Sequence, residues 1–332
     1  MHSSTQAGIV SSLTDLSSQL RLPVFGSPMF IASGPELVKA QCQAGIVGAF
    51  PTLNARPASL LADWLDEITE SNAAFNSANP DRPAAPFAVN LIVHRSNNRL
   101  EADLAEVVRH EVPIVITSLG AREEVNEAVH SYGGVVLHDV INNRFAHKAV
   151  EKGADGVIAV AAGAGGHAGA QSPFALVQEI RSWFDGPLLL SGAIAHGRSI
   201  LAALAAGADF AYIGSAFLST PEANVVEDYR KMIVESGADD VVYSNYFTGV
   251  KGNYLRGSIV ASGLDPDNLP EADPTKMDFG TDPDSEAKAW RDIWGSGQGI
   301  GALGMQQTTA ELVGTFASQF EEAKQQLLTR LR

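Results

Sequence analysis

The chain has 332 residues, of which 45% are hydrophobic and 18% charged, a composition typical of a folded globular protein and not of a disordered one. Its formal net charge of −15 argues against a nucleic-acid or anionic-membrane surface, because phosphate backbones are bound through basic patches. The single cysteine, Cys42, excludes a disulfide framework, and no run of eighteen apolar residues predicts a membrane span. We therefore expect a cytoplasmic protein.

Eight short runs rich in apolar and small residues predict β-strands. In chain order they are VFGSPMF (24–30), GIVGAFP (45–51), FAVNLIV (87–93), IVITSLG (114–120), GVVLHDV (134–140), GVIAVAA (156–162), PLLLSGAI (187–194) and FAYIGSAFL (210–218). Segments of helical periodicity lie between them, and several end in glycine, a common helix C-terminal signal. Strands joined by single helices are parallel, and eight such units close naturally into a (β/α)8 TIM barrel. A doubly wound open sheet is the rival architecture.

The alternation stops after Leu218. Residues 220–240 predict a helix, and the chain is then rich in Gly, Pro, Asn and Asp up to about Gly299. We therefore divide the chain into a barrel (1–220), a smaller lid or substrate domain (221–305) and a closing helix (306–332) that packs back on the barrel. Thr308 or Thr309 is the expected cap of that helix.

In a barrel, the active site lies at the C-terminal ends of the strands. Polar or otherwise unusual residues occur at these ends in the predicted strands. They are Pro28, Met29 and Phe30 after the first strand, Asn90 in the third, Ser118 in the fourth, Asp139 in the fifth and His167 after the sixth. The pattern predicts that these residues meet at one mouth of the barrel.

The seventh and eighth strands end in SGAIAHG (191–197) and IGSAFLS (213–219). Small residues at these two positions expose backbone N–H groups, and barrels use the corresponding loops to bind phosphate. The candidates are Gly192, Ala193, Gly214 and Ser215. A tight strand-to-helix turn explains either motif alone, whereas their joint occurrence favours a phosphate-bearing ligand.

His167 lies within GAGGHAG (163–169), where four glycines and two alanines surround one imidazole. An imidazole can act as a base or as a hydrogen-bond donor near neutral pH, although most single histidines are structural. No HExxH, paired cysteine or GxSxG motif is present, so metal and serine-hydrolase sites are poorly supported. GAGGHAG follows a predicted strand but lacks the GxGxxG spacing, and no acid stands at a strand end about twenty residues later, so a dinucleotide site is poorly supported too.

Five of these motifs together resemble the nitronate monooxygenase family, formerly called 2-nitropropane dioxygenase, whose members are FMN-dependent TIM barrels. The motifs are FAVNL, GAGGHAG, SGAIAHG, IGSAFLST and GSGQGIGAL (295–303), and the resemblance runs from about Leu22 to Val313. It implies that FMN lies across the barrel mouth and that His167 is the catalytic base or orients the substrate. The implied cofactor-binding residues are Pro28, Met29, Phe30, Asn90, Asp139, Gly165, Gly166, Gly192, Ala193, Gly214, Ser215 and Gln298. Close approach of the flavin and the substrate would explain the glycines around His167.

In this family an alkyl nitronate gives an electron to FMN, O2 reacts further, and the products are a carbonyl compound and nitrite. One departure is that His138 and Asp139 stand where some relatives have His-Lys, which puts a direct cation contact to FMN in doubt. Lys251 and Tyr254, with Asn253 and Arg256, are candidates for substrate choice, and a solvated loop with a packed tyrosine is the alternative. The family resemblance leaves monomer and homodimer both open.

Two other hypotheses compete with a nitronate monooxygenase. One is an FMN-dependent reductase of the same fold that passes hydride from NAD(P)H to a quinone or an enoyl thioester. The other is a flavin-binding protein without catalysis. The glycine-rich setting of His167 argues against the last.

Overall fold

The computed structural model describes residues 13–272 and 292–332. The part of the predicted lid that falls in 273–291 lies outside the described residues. No helix in the described part is long and apolar enough to cross a membrane.

Eight parallel strands form the central sheet, and every run predicted as a strand contributes one. The strands are β1 (Val24–Gly26), β2 (Gly48–Pro51), β3 (Phe87–Ile92), β4 (Ile114–Ser118), β5 (Val135–Val140), β6 (Gly156–Val160), β8 (Leu188–Ser191) and β9 (Phe210–Ile213). Parallel bonds also join the two ends of the sheet, because Gly26 N donates to Val47 O (2.7 Å) and Val47 N donates to Val24 O (3.1 Å). The sheet is thus a (β/α)8 barrel, and the open-sheet alternative is wrong.

Helices alternate with the strands as the periodicity predicts. In the described residues they are α1 (Leu13–Gln19), α2 (Pro35–Ala44), α3 (Leu60–Ala78), α4 (Leu100–Arg109), α5 (Glu123–His130), α6 (Asn143–Glu151), α7 (Pro173–Arg181), α8 (Gly197–Ala206), α9 (Glu227–Glu235), α10 (Arg256–Ala261) and α11 (Thr309–Arg330). Gly45 ends α2 with φ 91° and Gly207 ends α8 with φ 113°, a conformation that glycine adopts without a Cβ clash.

Side chains fill the barrel, so it is a packed core and not a pore. Phe25 and Phe210 meet edge to face, 5.1 Å between ring centroids, and aliphatic side chains from the other strands surround them. A second apolar layer packs between the sheet and the outer helices. This packing holds the strand ends rigidly, which is a condition for a precise site.

A small antiparallel sheet lies beyond the barrel strands. Its strands are β10 (Val241–Ser244), β11 (Gly252–Leu255) and the two-residue β7 (Gly166–His167), in the order β10, β11, β7. The helix predicted over 220–240 is confined to Glu227–Glu235. Ile233 of α9 and Leu255 of β11 share a buried cluster with Leu37 of α2, so this region packs directly against the barrel.

The final helix, α11, begins where the sequence predicts. The Thr308 side chain accepts a hydrogen bond from Glu311 N, and the Glu311 carboxylate accepts one from Thr308 N, which makes a capping box. Leu312 and Phe316 of α11 share a buried cluster with Leu37 of α2 and Ile200 of α8.

Candidate functional site

A cavity of about 1270 Å³ opens at the C-terminal ends of the barrel strands. Fourteen of the residues predicted for the site line it. They are Pro28, Met29, Phe30, Asn90, Ser118, Asp139, Gly165, Gly166, His167, Gly192, Ala193, Gly214, Ser215 and Lys251. Ligand pockets are often about 300–1,000 Å³, so this cavity has room for a large cofactor together with a substrate.

Three polar side chains form a hydrogen-bonded chain across neighbouring strands in the cavity. Asn90 Nδ2 donates to Ile116 O (3.1 Å) and to Ser118 Oγ (2.7 Å), and Ser118 Oγ donates to Asp139 Oδ2 (2.6 Å). These bonds use both amide hydrogens of Asn90 and the hydroxyl hydrogen of Ser118. The direction of donation is therefore fixed toward Asp139.

Asp139 faces a drier environment than a surface carboxyl. Burial raises its pKa to about 6 from the ordinary 3.8, and the Ser118 hydrogen bond opposes that rise because it stabilises the charged form. Across the barrel, burial and the charge of Asp139 both raise the pKa of Tyr212. Asp139 can thus gain and lose a proton near neutral pH.

The neighbouring histidine, His138, also lines the cavity but is nearly inaccessible. Its Nδ1 lies 2.6 Å from Thr117 Oγ1, whose hydroxyl also lies within reach of Leu137 O at 3.4 Å. Burial lowers the pKa of His138 to about 4, so the ring is neutral at pH 7. A neutral His138 adds no positive charge to the cavity.

His167 is held in β7, which pairs with β11. In that pairing Gly252 stands opposite His167, and the His167 Nε2 lies 2.9 Å from Thr248 Oγ1. Burial lowers the pKa of this imidazole to about 4, so it is neutral over the physiological range. The structure therefore places a neutral, anchored imidazole at the cavity wall.

The glycines beside His167 have a different cause from the one expected. A Cβ on Gly165 would lie 2.7 Å from both Gly297 N and Ser215 Oγ, and a Cβ on Gly297 would lie 2.6 Å from Gly163 O. Gly163 and Gly166 also adopt positive φ, at 84° and 66°. Close packing between residues 163–169 and the later segment 295–299 requires these glycines, so approach of a ligand is not needed to explain them.

The ends of β8 and β9 carry the residues predicted to hold phosphate. Gly192 and Ala193 have positive φ, at 139° and 54°, and Ala193 N donates to Gly163 O at 3.1 Å. Ser215 Oγ accepts from Gly297 N at 2.8 Å and keeps its own hydrogen for another acceptor. The four residues leave a side-chain-poor floor between two loops that hydrogen bonds hold together.

The loop after β1 is fixed by a residue that the sequence did not indicate. Asn54 Oδ1 accepts from Ile31 N (2.9 Å), while its Nδ2 donates to Met29 O (3.0 Å) and Ser33 O (2.8 Å). Ile31 has φ 66°, which a β-branched residue rarely adopts. These three bonds offset the strain and hold the backbone of Met29 at the cavity.

Non-glycine residues with positive φ cluster around the cavity. Ile31, Leu119 and Ala193 line it, and Glu111 is the fourth such residue in the described chain. Strained backbone of this kind tends to occur at functional sites, where the surrounding structure holds it in place. The clustering of positive φ angles indicates a functional site, and no sequence motif predicted it.

Two predicted site residues do not line the cavity. Tyr254 is 1% exposed and packs edge to face on Phe247, with its hydroxyl 3.4 Å from Thr248 Oγ1. Gln298 has an exposed side chain, and its backbone N–H donates to Gly163 O at 2.9 Å. Apolar packing thus removes Tyr254 from the substrate, and Gln298 supports the loop before His167.

The other two candidates in this region are structural in the same way. Asn253 is buried and its Nδ2 donates to Ala164 O at 2.6 Å, so it anchors the loop before His167. Arg256 forms a two-bond ion pair with Asp267, both bonds 2.9 Å long. Lys251 does line the cavity, although it is half-exposed and lies 3.7 Å from Glu271.

The charged residues that line the cavity are mostly cationic, although the whole chain is strongly acidic. They are Arg56, Arg99, Lys148, Lys251 and Asp139, the last being the only carboxyl in the described lining. Arg99 is already paired with Asp103 (2.9 Å) inside the fold. Lys251 lies 3.7 Å from Glu271, so Arg56 and Lys148 contribute most to a local positive balance that suits an anionic group on a ligand.

The model of the nitronate monooxygenase family matches residues 11–275. The chain belongs to the nitronate monooxygenase family. It is accordingly an oxidoreductase of a flavin-dependent family, and the resemblance inferred from the motifs is confirmed.

Relatives of known description support this assignment. A nitronate monooxygenase of Paraburkholderia phytofirmans is 25% identical over 92% of this chain and 94% of its own length. A (3aS,4S,5R,7aS)-5-hydroxy-7a-methyl-1-oxo-octahydro-1H-indene-4-carboxyl-CoA dehydrogenase of Rhodococcus jostii is 27% identical over 72% of this chain. That second match spans 64% of the relative, just under two thirds of its length.

Solved structures share the fold. FabK of Thermotoga maritima superposes with a TM-score of 0.76 at 22% identity, covering 96% of this chain and 98% of its own. A nitroalkane oxidase of Streptomyces ansochromogenes gives a TM-score of 0.75 at 23% identity, covering 94% and 99%. These likenesses establish the same barrel and appended elements.

Proposed function

We propose that this cytoplasmic chain is an FMN-dependent nitronate monooxygenase that oxidises alkyl nitronates with O2 to a carbonyl compound and nitrite. The observation that carries the proposal is the neutral, anchored His167 on the wall of a cavity of about 1270 Å³ at the barrel mouth, in a chain of this family. When bound, FMN would supply the redox chemistry, and the protein would bind and orient the reactants.

The residues present fit such a cofactor. The floor at Gly192, Ala193, Gly214 and Ser215 carries no large side chain, and its loops are held by hydrogen bonds. The Ser215 hydroxyl and backbone amides other than that of Ala193, which donates to Gly163 O, would hold the phosphate. Such local donors are needed because the net charge of the whole chain is negative. The Met29 backbone and the Asn90 side chain would border the ring system.

His167 would border the substrate as a neutral, oriented imidazole. Thr248 Oγ1, 2.9 Å from Nε2, fixes the plane of the ring. A ring so oriented places a polar group beside the reactants without adding a full charge. Lys251 at the mouth would attract an anionic substrate.

A reductase of the same fold is a second candidate, and one observation favours it. Asp139 places a carboxyl in the cavity, and an ionised carboxyl disfavours an anionic nitronate more than a neutral thioester. The Rhodococcus jostii relative supports this candidate, since its name places a CoA thioester in its chemistry.

An anaerobic spectrum of the purified protein tests the two. The proposal requires bound or readily absorbed FMN, a change in the flavin spectrum when propyl-2-nitronate is added, and nitrite once air is admitted. A colourless protein that takes up no FMN would refute the cofactor assignment. Bleaching by NADPH, with no response to the nitronate, would establish the reductase instead.

A further inference from the structure

Asp139 is a carboxyl group that the nitronate reaction does not use. It stands near the end of β5, where it pairs with Ile158 of β6. The preceding residue, His138, pairs with Thr117 of β4. Among the described residues that line the cavity it is the only acid. A largely buried carboxyl that lines a ligand cavity indicates a chemical role, because removing its charge from water costs free energy.

The hydrogen-bonded chain defines which oxygen of Asp139 is available. Ser118 Oγ donates to Oδ2 at 2.6 Å, and Asn90 Nδ2 donates to Ser118 Oγ at 2.7 Å. Oδ1 makes no hydrogen bond to the part of the chain that the structure describes. One oxygen is therefore fixed by the protein, and the other is left for a ligand in the cavity.

The surroundings set the basicity of this oxygen. Burial raises the pKa of Asp139 to about 6, and Ser118 moderates the rise. The titratable group facing it from β9 is Tyr212, whose pKa is raised by burial and by the Asp139 charge. Burial lowers the pKa of His167 to about 4, so Asp139 is the stronger base of the two at neutral pH.

We propose that Asp139 is the proton-transfer residue of the site and that the chain accepts neutral carbon acids, in which an α-carbon bears hydrogen beside a nitro group or a thioester carbonyl. In the forward direction the α-C–H bond breaks and the proton forms an O–H bond with Oδ1. The electron pair moves to the nitro or carbonyl oxygen, which gives a nitronate or an enolate. The reverse step returns the proton to carbon.

This step is redox-neutral and needs no co-reactant. Ser118 and Asn90 act as positioning residues, since they hold the carboxylate through Oδ2. The substrate class rests on the proposed function, because the nitronate produced from a nitroalkane is what the oxidation consumes. A thioester would instead place the same step in the reductase.

The test is exchange of the α-hydrogens with solvent, measured by proton NMR in D2O on the FMN-loaded enzyme without oxygen. The probes are 1-nitropropane and, in a second arm, butanoyl-CoA. We expect exchange well above the buffer rate, with Asp139→Asn lowering it by roughly 100-fold or more, as for loss of a general base. Asp139→Glu should restore part of the rate. The matched control is Asp185→Asn, because Asp185 is exposed and does not line the cavity.

Unchanged exchange in Asp139→Asn, or wild-type exchange no faster than buffer with both probes, would overturn the proposal. Exchange of one probe alone identifies the substrate as nitroalkane or thioester. Retained FMN and an unchanged unfolding midpoint in Asp139→Asn show that a lost rate is not lost folding. Asp139-dependent exchange in an enzyme that releases no nitrite from a nitronate would refute the proposed function and keep the inference.

Discussion

Replacing Ser118 by alanine removes the hydrogen bond that moderates the pKa of Asp139. That bond joins a hydroxyl to a carboxylate over 2.6 Å in a mostly buried setting. Hydrogen bonds to charged groups contribute about 1.5–3 kcal/mol, and one pKa unit corresponds to about 1.4 kcal/mol. The pKa of Asp139 should therefore rise by about one to two units from its value of about 6.

The raised pKa of Asp139 also makes the free energy of unfolding depend on pH. Because the folded-state pKa of Asp139 lies above the ordinary 3.8, the folded protein binds more protons than the unfolded one between pH 3.8 and about 6. Asp139 thus makes the free energy of unfolding fall as pH rises through this window. In Ser118→Ala the fall should continue by one to two further pH units.

Carbon-13 NMR of protein labelled at aspartate carboxyls measures the pKa directly, with the Asp139 signal assigned by its loss in Asp139→Asn. The control is Ser182→Ala, since Ser182 is exposed and donates only to Glu179 O. A midpoint in Ser118→Ala that equals or lies below the wild-type midpoint would refute the reasoning. It would show that the Asn90–Ser118 chain does not set the acidity of the carboxyl.

Other perturbations test the remaining contacts. Gly165→Ala should lower the free energy of unfolding by about 1–3 kcal/mol in urea melts, because the new Cβ would lie 2.7 Å from Gly297 N and Ser215 Oγ. The control is Gly304→Ala, which should change the urea midpoint little because Gly304 is exposed and a Cβ there would have nothing within 4 Å. Thr308→Ala should lose about 1 kcal/mol by removing the cap of α11, and an unchanged urea midpoint would contradict that role. Lys251→Ala should raise KM for a nitronate several-fold with kcat unchanged, and equal loss in both would point to a different role. The KM for a nitronate should also rise with pH through about 6 as Asp139 ionises, and Asp139→Asn should flatten this profile.

Periodicity was sufficient to predict the barrel because both of its signals are local. Strand runs such as 114–120 and 156–162 are apolar and short, and helices such as α8 end in glycine at the position where the chain must turn back. The alternation of the two then allows few topologies. Periodicity did not show whether the sheet closes into a barrel, because closure depends on the hydrogen bonds that β1 makes with Val47, before β2, at the two ends of the sheet.

The site was predicted where it follows from strand ends and was missed where it depends on distant contacts. Asn90 and Asp139 could be placed at one mouth because parallel strands end together. Asn54 and Thr248 could not, since each acts through a partner more than twenty residues away in the chain. Tyr254 packs on Phe247, in the turn between β10 and β11, as the packed-tyrosine alternative predicts; the sequence could not choose between the alternatives because it does not reveal the register of this small sheet.

The charge of the substrate separates the two kinds of chemistry that this cavity can support. A preformed nitronate is an anion, so ionised Asp139 opposes its binding across the neutral range. A neutral carbon acid meets no such repulsion, and it becomes anionic only as its proton neutralises the carboxyl, so the total charge in the cavity stays constant. The interaction of Asp139 is then strongest where charge develops during reaction, which is the condition for catalysis and not merely for binding. A site meant only for preformed nitronates would gain affinity from asparagine at this position, so the presence of a carboxyl argues for proton transfer.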